Sequence, residues 1–382
     1  MYNFDEISDR CNVNSLKWEN DDVIPMWVAD MDFDTLPDIK DAIRKRLDIG
    51  ALGYTNTPKE YYLAFHDFWL RNHDIDLDIS NMIFSTGVVP AISSIVRKLN
   101  NKGDKITILT PTYNIFFNSI INNGLIPLES KLEFINREYR INYIDLENKL
   151  KESKMLILCN PLNPVGKIWD KDELIKIGNL CLKYNVIILS DEIHCDIITP
   201  GLKYIPLLSL KGFNDITITC ISASKCFNLA GLQGALVVVP NLDLKKKVER
   251  GLNTDEVAEG NVFVYDAFIS ALNNGDLWLK EMNEYVYENK LYLKEFINKN
   301  LPELDYHYGD ATYLAWVDVS KITDDGFELC EYLKNKHKVY FSYGEEYGHD
   351  FKAFIRINLA TSKKILIEGL NRLLKGIKEY KK

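Results

Sequence analysis

ITITCISASKCFNLAGLQG, residues 216–234, sets Lys225 between two apolar runs. Ile216–Ile221 alternates β-branched and small residues, the composition of a buried strand. A second run, Ala235–Val239, follows at once. An ammonium group between two buried strands is costly to desolvate. Two readings answer that cost. In one, the amine bonds covalently to an aldehyde cofactor, pyridoxal phosphate (PLP), and the hydroxyls of Ser222 and Ser224 face its phosphate. In the other, the lysine closes a strand and carries its head out to solvent. The stretch alone leaves both open.

Outward from it, the chain repeats one pattern. Met82–Ser85, Ile106–Leu109, Met155–Leu158 and Val186–Leu189 are short apolar runs, each followed by a turn and a helical segment. Strands alternating with helices predict a mainly parallel, doubly wound sheet. Helices are expected over 37–50, where Pro37 suits a first turn and Gly50 a stop, over 61–72, through 93–99 and over 171–184. Residues 125–150 read as a less regular excursion. Ala353–Ala360 reads as a late strand with Phe354, Arg356 and Asn358 on one face, and an amphipathic helix covers 365–380. Upstream, residues 1–24 form a polar, irregular arm. The apolar stretch PMWVADMDF (25–33) is either a strand docking that arm or a segment roofing a pocket.

The polar residues cluster in this pattern. Gly87, Tyr113, Asn163, Asp191, His194 and Lys225 all follow carboxyl ends of the strands. Open α/β sheets bind ligands in the crevice beyond those ends. Gly87-Val88-Val89 at a helix start offers backbone N–H groups and a helix dipole to a phosphate. Tyr113 suits a flat ring. The turn NPLNPVG (160–166) holds Asn163 rigidly enough to donate to a phenolic oxygen. Asp191, ending an apolar strand, either keeps a pyridine nitrogen protonated or caps the next segment. His194 is either a group on the same ring or an ordinary packed histidine. Arg356, in so apolar a strand, wants an anion: a substrate carboxylate or a structural partner.

Composition narrows the classes. The 382 residues carry a net charge of −9, without a basic block outside the short C-terminal tail, which disfavours nucleic acid and anionic membranes. No apolar run reaches the roughly 20 residues of a membrane span, and the polar N-terminus shows no signal peptide. Seven scattered cysteines without a CxxC pair, and dispersed histidines, predict reduced thiols in a cytoplasmic protein and no metal site.

The motifs MWVADMDF (26–33), GYT (53–55), TGVVPA (86–91), NPLNPVGKIW (160–169), SDEIHCD (190–196), SASKCFNLAGLQG (222–234), TYLAWVD (312–318) and FIRINLA (354–360) together resemble the fold-type-I PLP enzymes of the class I/II aminotransferase superfamily. Within it they are most similar to carbon–sulfur lyases of the MalY/PatB type, the cystathionine β-lyases. The resemblance implies the aspartate aminotransferase-like fold: an arm over 1–44 packed with the small domain, a large PLP-binding domain over 45–280 and a small α+β domain over 281–382. It implies Lys225 as the catalytic, PLP-bonded residue and Asp191 against the pyridine nitrogen. Asn163 would lie at the ring oxygen, Tyr113 on the ring and His194 nearby. Ser222, Ser224, Gly87 and Val88 would hold phosphate, and Arg356 the substrate carboxylate. It implies a homodimer with a shared site, in which Tyr54 reaches the partner's phosphate while Trp27 and Ala29 line the substrate pocket. Two positions depart from the superfamily's usual pattern. Gln233 stands where aminotransferases usually carry a phosphate-binding arginine, and Leu162 where lyases more often carry a polar residue. The implied reaction is β-elimination from a small sulfur-containing amino acid, giving pyruvate, ammonia and a thiol. The rivals are an aminotransferase and, from another class, a regulatory protein on the same scaffold.

Overall fold

The computed structural model describes residues 2–20 and 22–380. Its centre is a seven-stranded sheet in the spatial order Met82–Ser85, Ala235–Val238, Thr217–Ile221, Ile187–Asp191, Met155–Cys159, Lys105–Thr110, Ile126–Lys131. The last five strands of that order pair in parallel. Ala235–Val238 runs antiparallel to both its neighbours, so Met82–Ser85 points the same way as the parallel set. The strands are short and buried along their whole length on the central members. They are buried because helices cover both faces.

The apolar periodicity did its expected work. Lys171–Tyr184 is a helix with Asp170 and Glu173 in a reciprocal capping box. Val88–Leu99 opens at Gly87, Pro37–Asp48 has Pro37 in its first turn, and Lys59–His73 buries Tyr61, Phe65, Phe68 and Trp69. The excursion after Gly124 contains the edge strand Ile126–Lys131, a small hairpin of Glu133–Ile135 with Glu138–Arg140, and the helix Tyr143–Leu150.

A second, four-stranded sheet has the order Asp305–His307, Leu314–Asp318, Phe354–Asn358, Ser342–Tyr343, all antiparallel. The helix Lys363–Tyr380 buries Leu366, Leu370, Leu373 and Ile377 in the core beneath it. The 25-residue helix Asp276–Asn300 runs from the core of the large sheet to that of the small one. The expected boundaries at 44/45 and 280/281 both fall inside helices. Among the described residues no helix is long and apolar enough to cross a membrane, and no cysteine forms a disulfide.

The stretch Pro25–Phe33 differs from a docking strand. Only Ile24–Pro25 is strand, pairing in parallel with Val339–Tyr340. Beyond it the chain is held by a side chain instead of a ladder: Asn358 donates from Nδ2 to the carbonyls of Val28 and Asp30, at 2.7 Å each. Asp32 donates its N–H to Ala360. This places Ala29 over the rim of the large sheet.

Candidate active site

Five co-directional strands, Met82–Ser85, Lys105–Thr110, Met155–Cys159, Ile187–Asp191 and Thr217–Ile221, end at one rim. There a cavity of about 270 Å³ is lined by residues following every one of them, including Gly87, Tyr113, Asn163, Asp191, His194 and Lys225. Val88, Ser224 and Ala29 complete the set the sequence brings here.

Lys225 donates from Nζ to the Ala29 carbonyl at 2.6 Å. Burial lowers its amine from 10.5 to about 8, with Asp30 pulling it back up, Arg356 pushing it down and Asp191 pulling it up. It does not snorkel to solvent. Asp191 pairs in the ladder between Cys159 and Cys220. One oxygen accepts the Ile193 N–H at 3.1 Å, so Asp191 both caps its turn and lines the cavity. Burial raises its carboxyl from 3.8 to about 7. His194 is neutral, because burial and then the nearby cations Lys225 and Arg356 lower it to about 3. Its ring meets Tyr313 edge-on at 6.1 Å, and its Nδ1 has no partner.

Asn163 is held by its neighbours. Its Oδ1 accepts from Arg356 Nη1 at 3.3 Å, which leaves the amide NH₂ to donate into the cavity. The turn that carries it is pinned by a backbone-on-backbone crossing. Gly166 adopts φ +75°, and a Cβ there would lie 2.4 Å from the Ala311 carbonyl oxygen. Arg356 is buried in its strand; Nη2 donates to the Trp27 carbonyl at 2.8 Å and Nε has no partner. The guanidinium lies 4.8 Å over the Tyr347 ring. Among the described residues no carboxylate forms an ion pair with Arg356, so the structural-partner reading loses its partner.

Four expected site residues sit apart from the cavity lining. Ser222 is buried behind it: its hydroxyl donates to the Gly234 carbonyl at 2.6 Å and accepts the Ser224 N–H at 3.0 Å. Its contact with Ser224 Oγ is 2.9 Å. Ser222 therefore orients Ser224, which does line the cavity. Tyr54 is fully exposed in the loop between the helices Pro37–Asp48 and Lys59–His73. Trp27 gives its carbonyl to Arg356 while its ring packs 5.6 Å from Tyr340. Arg356 itself approaches through Asn163. Of the two departures, Gln233 lines the cavity at φ +55°, while Leu162 is core.

Residue reasoning passed over Cys159, Ile193 and Ala230, which also line the cavity, and Ser342, which donates to the Trp27 carbonyl at 2.9 Å beside Arg356. Cys159 had a signal, since it ends a strand directly before the Asn163 turn. Ser342 had none, because it comes from a two-residue strand.

A model of the aminotransferase class I and II family matches residues 21–373. The chain is 35% identical to cystathionine beta-lyase PatB of Bacillus subtilis, over 97% of this chain and 98% of that protein. Among solved structures, a PLP-bound putative aminotransferase from Clostridium difficile superposes with a TM-score of 0.96 at 40% identity, covering 99% of this chain and 100% of that one. PLP-containing cystalysin from Treponema denticola superposes with a TM-score of 0.96 at 32% identity, covering 99% of each chain.

Proposed function

We propose that this chain, which belongs to the class I and II aminotransferase family, is a PLP-dependent carbon–sulfur lyase that cleaves the Cβ–S bond of cysteine-type thioethers, with cystathionine as the reference substrate. The observation that carries it is Lys225: a partly buried amine held on the Ala29 carbonyl, lowered by desolvation to about 8, on the wall of the cavity that also holds Asp191. The relative named as a cystathionine beta-lyase supports the choice of reaction.

The donor set fits PLP. His194 Nδ1 and Arg356 Nε are buried without partners, and Asp191 has a single backbone donor. The 12-residue helix Val88–Leu99 begins at the cavity without a side-chain cap, leaving first-turn N–H groups for a phosphate. Ser224, oriented by Ser222, adds a hydroxyl. Gln233 supplies no charge there, so phosphate is held by neutral donors. Asn163 Nδ2 is assigned to the ring oxygen, Tyr113 to the ring face and Asp191 to the pyridine nitrogen.

Bound PLP supplies an electron-withdrawing ring that stabilises negative charge developing at the substrate Cα. The chain's own residues do the rest. Arg356, held by Trp27 and Asn163, takes the α-carboxylate in its fork and aims the Cα–H bond. Lys225 Nζ, a weak base by burial, removes the Cα proton. Asp191 holds charge opposite the ring nitrogen. The β-sulfur leaves as thiolate, and the remaining three-carbon fragment hydrolyses to pyruvate and ammonia. Tyr54, fully exposed here, is assigned to a second subunit's phosphate, which makes the working form a homodimer. A cytoplasmic setting goes with the free thiols and needs no membrane. The test is product identification from cystathionine: pyruvate, ammonia and free homocysteine in equal amounts support the reading, and a 2-oxo acid retaining the sulfur defeats it.

A further inference from the structure

Lys290, in the helix Asp276–Asn300, is 2% exposed and lies outside the lining of the active-site cavity. Its Nζ donates to two backbone carbonyls, Gly309 at 2.8 Å and Ala311 at 3.0 Å. Burying an amine is costly unless its N–H groups are bonded, so a lysine at this depth needs a task. We propose that Lys290 is a positioning residue for the substrate-carboxylate grip: it fixes the loop 309–312, and that loop fixes the turn that sets Asn163 against Arg356. The proposal rests on the roles given above to Asn163 and Arg356.

The contacts from Lys290 to the site are continuous. Ala311 donates its N–H to the Gly166 carbonyl at 2.8 Å, and a Cβ on Gly309 would strike the Val165 carbonyl. Gly166 closes the turn by donating to the Leu162 carbonyl at 2.6 Å, with Asn163 between the two. Asn163 Oδ1 then accepts from Arg356. The same loop reaches the segment after His194: Thr199 donates to the Asp310 carbonyl at 2.8 Å, and Thr312 to the Ile197 carbonyl at 2.7 Å. Thr312 has φ +62°, a left-handed conformation that a β-branched residue keeps only where its surroundings hold it. Beside Lys290 on the helix, Asn289 donates from Nδ2 to the carbonyls of Leu359 and Thr361, at 3.0 Å each, just past Arg356 along the chain. Residues 289 and 290 therefore pin both sides of the Asn163–Arg356 contact to one helix.

Burial lowers the Lys290 amine from 10.5 to about 7, and Asp310 pulls it back up. The neutral amine has two N–H donors and the ammonium three, and the carbonyls need two. The grip therefore holds in both forms, and the role is geometric instead of that of a titrating switch. Small displacements matter at such a distance: a substrate misaimed by about 1 Å loses up to about a hundredfold in rate.

The test uses the PLP-loaded enzyme and three variants: Lys290→Met, which keeps the stem and removes the donors, Lys290→Arg, which keeps donors, and Lys290→Gln, polar but one bond shorter. Amide hydrogen exchange, read by mass spectrometry, should be about tenfold faster over residues 162–167 in Lys290→Met, with the helix Lys171–Tyr184 unchanged. Calorimetry with 3-(methylthio)propanoate, a carboxylate without the amino group, should show about tenfold weaker binding. With an amino-acid substrate KM should rise about tenfold, with a smaller fall in kcat. Lys290→Arg should recover most of each loss. Unchanged exchange over 162–167 overturns the proposal, and so does equal acceleration in every segment, which marks a residue of general stability. Faster exchange with unchanged carboxylate affinity also overturns it, and traces the failure to the roles given to Asn163 and Arg356. If Lys290→Met does not fold, the same measurements on Lys290→Gln decide. Absence of pyruvate from cystathionine defeats the lyase reading alone, because exchange and carboxylate binding are read without turnover.

Discussion

Lys225 owes its chemistry to burial. In water a lysine amine is protonated at neutral pH; here desolvation lowers it to about 8, and the Ala29 carbonyl holds it in place. Lys225→Ala removes the cofactor bond and the base together, so turnover should fall by at least about four orders of magnitude while the fold persists. Circular dichroism alongside a pyruvate assay checks both halves. The lowered value also sets how the apoprotein takes up PLP. Only the neutral amine attacks the aldehyde, and it is neutral above about pH 8 instead of above 10.5. The rate of cofactor uptake, followed by absorbance, should rise with pH and level off past about 8; a limb near 10 would place the amine in solvent. Arg356→Ala should cost on the order of a hundredfold in kcat/KM, shared between KM and kcat, because the fork both binds and aims the substrate. Steady-state kinetics on an amino-acid substrate read that split.

Strands and turns, one scale up, explain why these groups meet. Every strand that supplies the cavity points to one rim, and short apolar runs alternating with helices made that legible from sequence. So were the turn NPLNPVG and the charge-bearing ends after it, because Pro and Gly mark such turns by their backbone limits alone. Ser222 and Trp27 were harder to place. A hydroxyl beside a lysine reads as a ligand group, and only the fold shows that the Gly234 carbonyl already holds Ser222. Trp27 acts through its carbonyl, which no residue identity announces. The Pro25–Phe33 stretch was ambiguous because its bonds go to Asn358, more than three hundred residues away. The element carrying Asp191 also stores a pH dependence. Glu192 is buried against Ser190, Tyr204 and the Leu207 N–H, and burial raises its carboxyl from 4.5 to about 8. The folded state thus keeps a proton that the unfolded chain releases above 4.5. This stability is fully present below that pH and is lost as pH rises through about 8. The melting temperature of the apoprotein should therefore fall across that window, and Glu192→Gln should flatten the fall; an unchanged profile would show Glu192 ionised throughout.

At the scale of the whole molecule, two sheets and the Asp276–Asn300 helix bring residues from position 29 to position 234 to one cavity and set Arg356 behind its Asn163 wall. The arrangement supports elimination and amino transfer equally up to loss of the Cα proton. The two differ in the state of the enzyme after one turnover. Elimination releases the whole substrate carbon skeleton and leaves the cofactor ready for the next molecule. Amino transfer keeps the nitrogen and stops until a 2-oxo acid removes it. Counting pyruvate per active site from cystathionine, with no 2-oxo acid added, separates them directly. The lyase account predicts many equivalents, with the cofactor's visible absorbance retained. No pyruvate and about one equivalent of a 2-oxo acid that retains the sulfur, with bleaching of that absorbance and recovery only on adding a second 2-oxo acid, would contradict it.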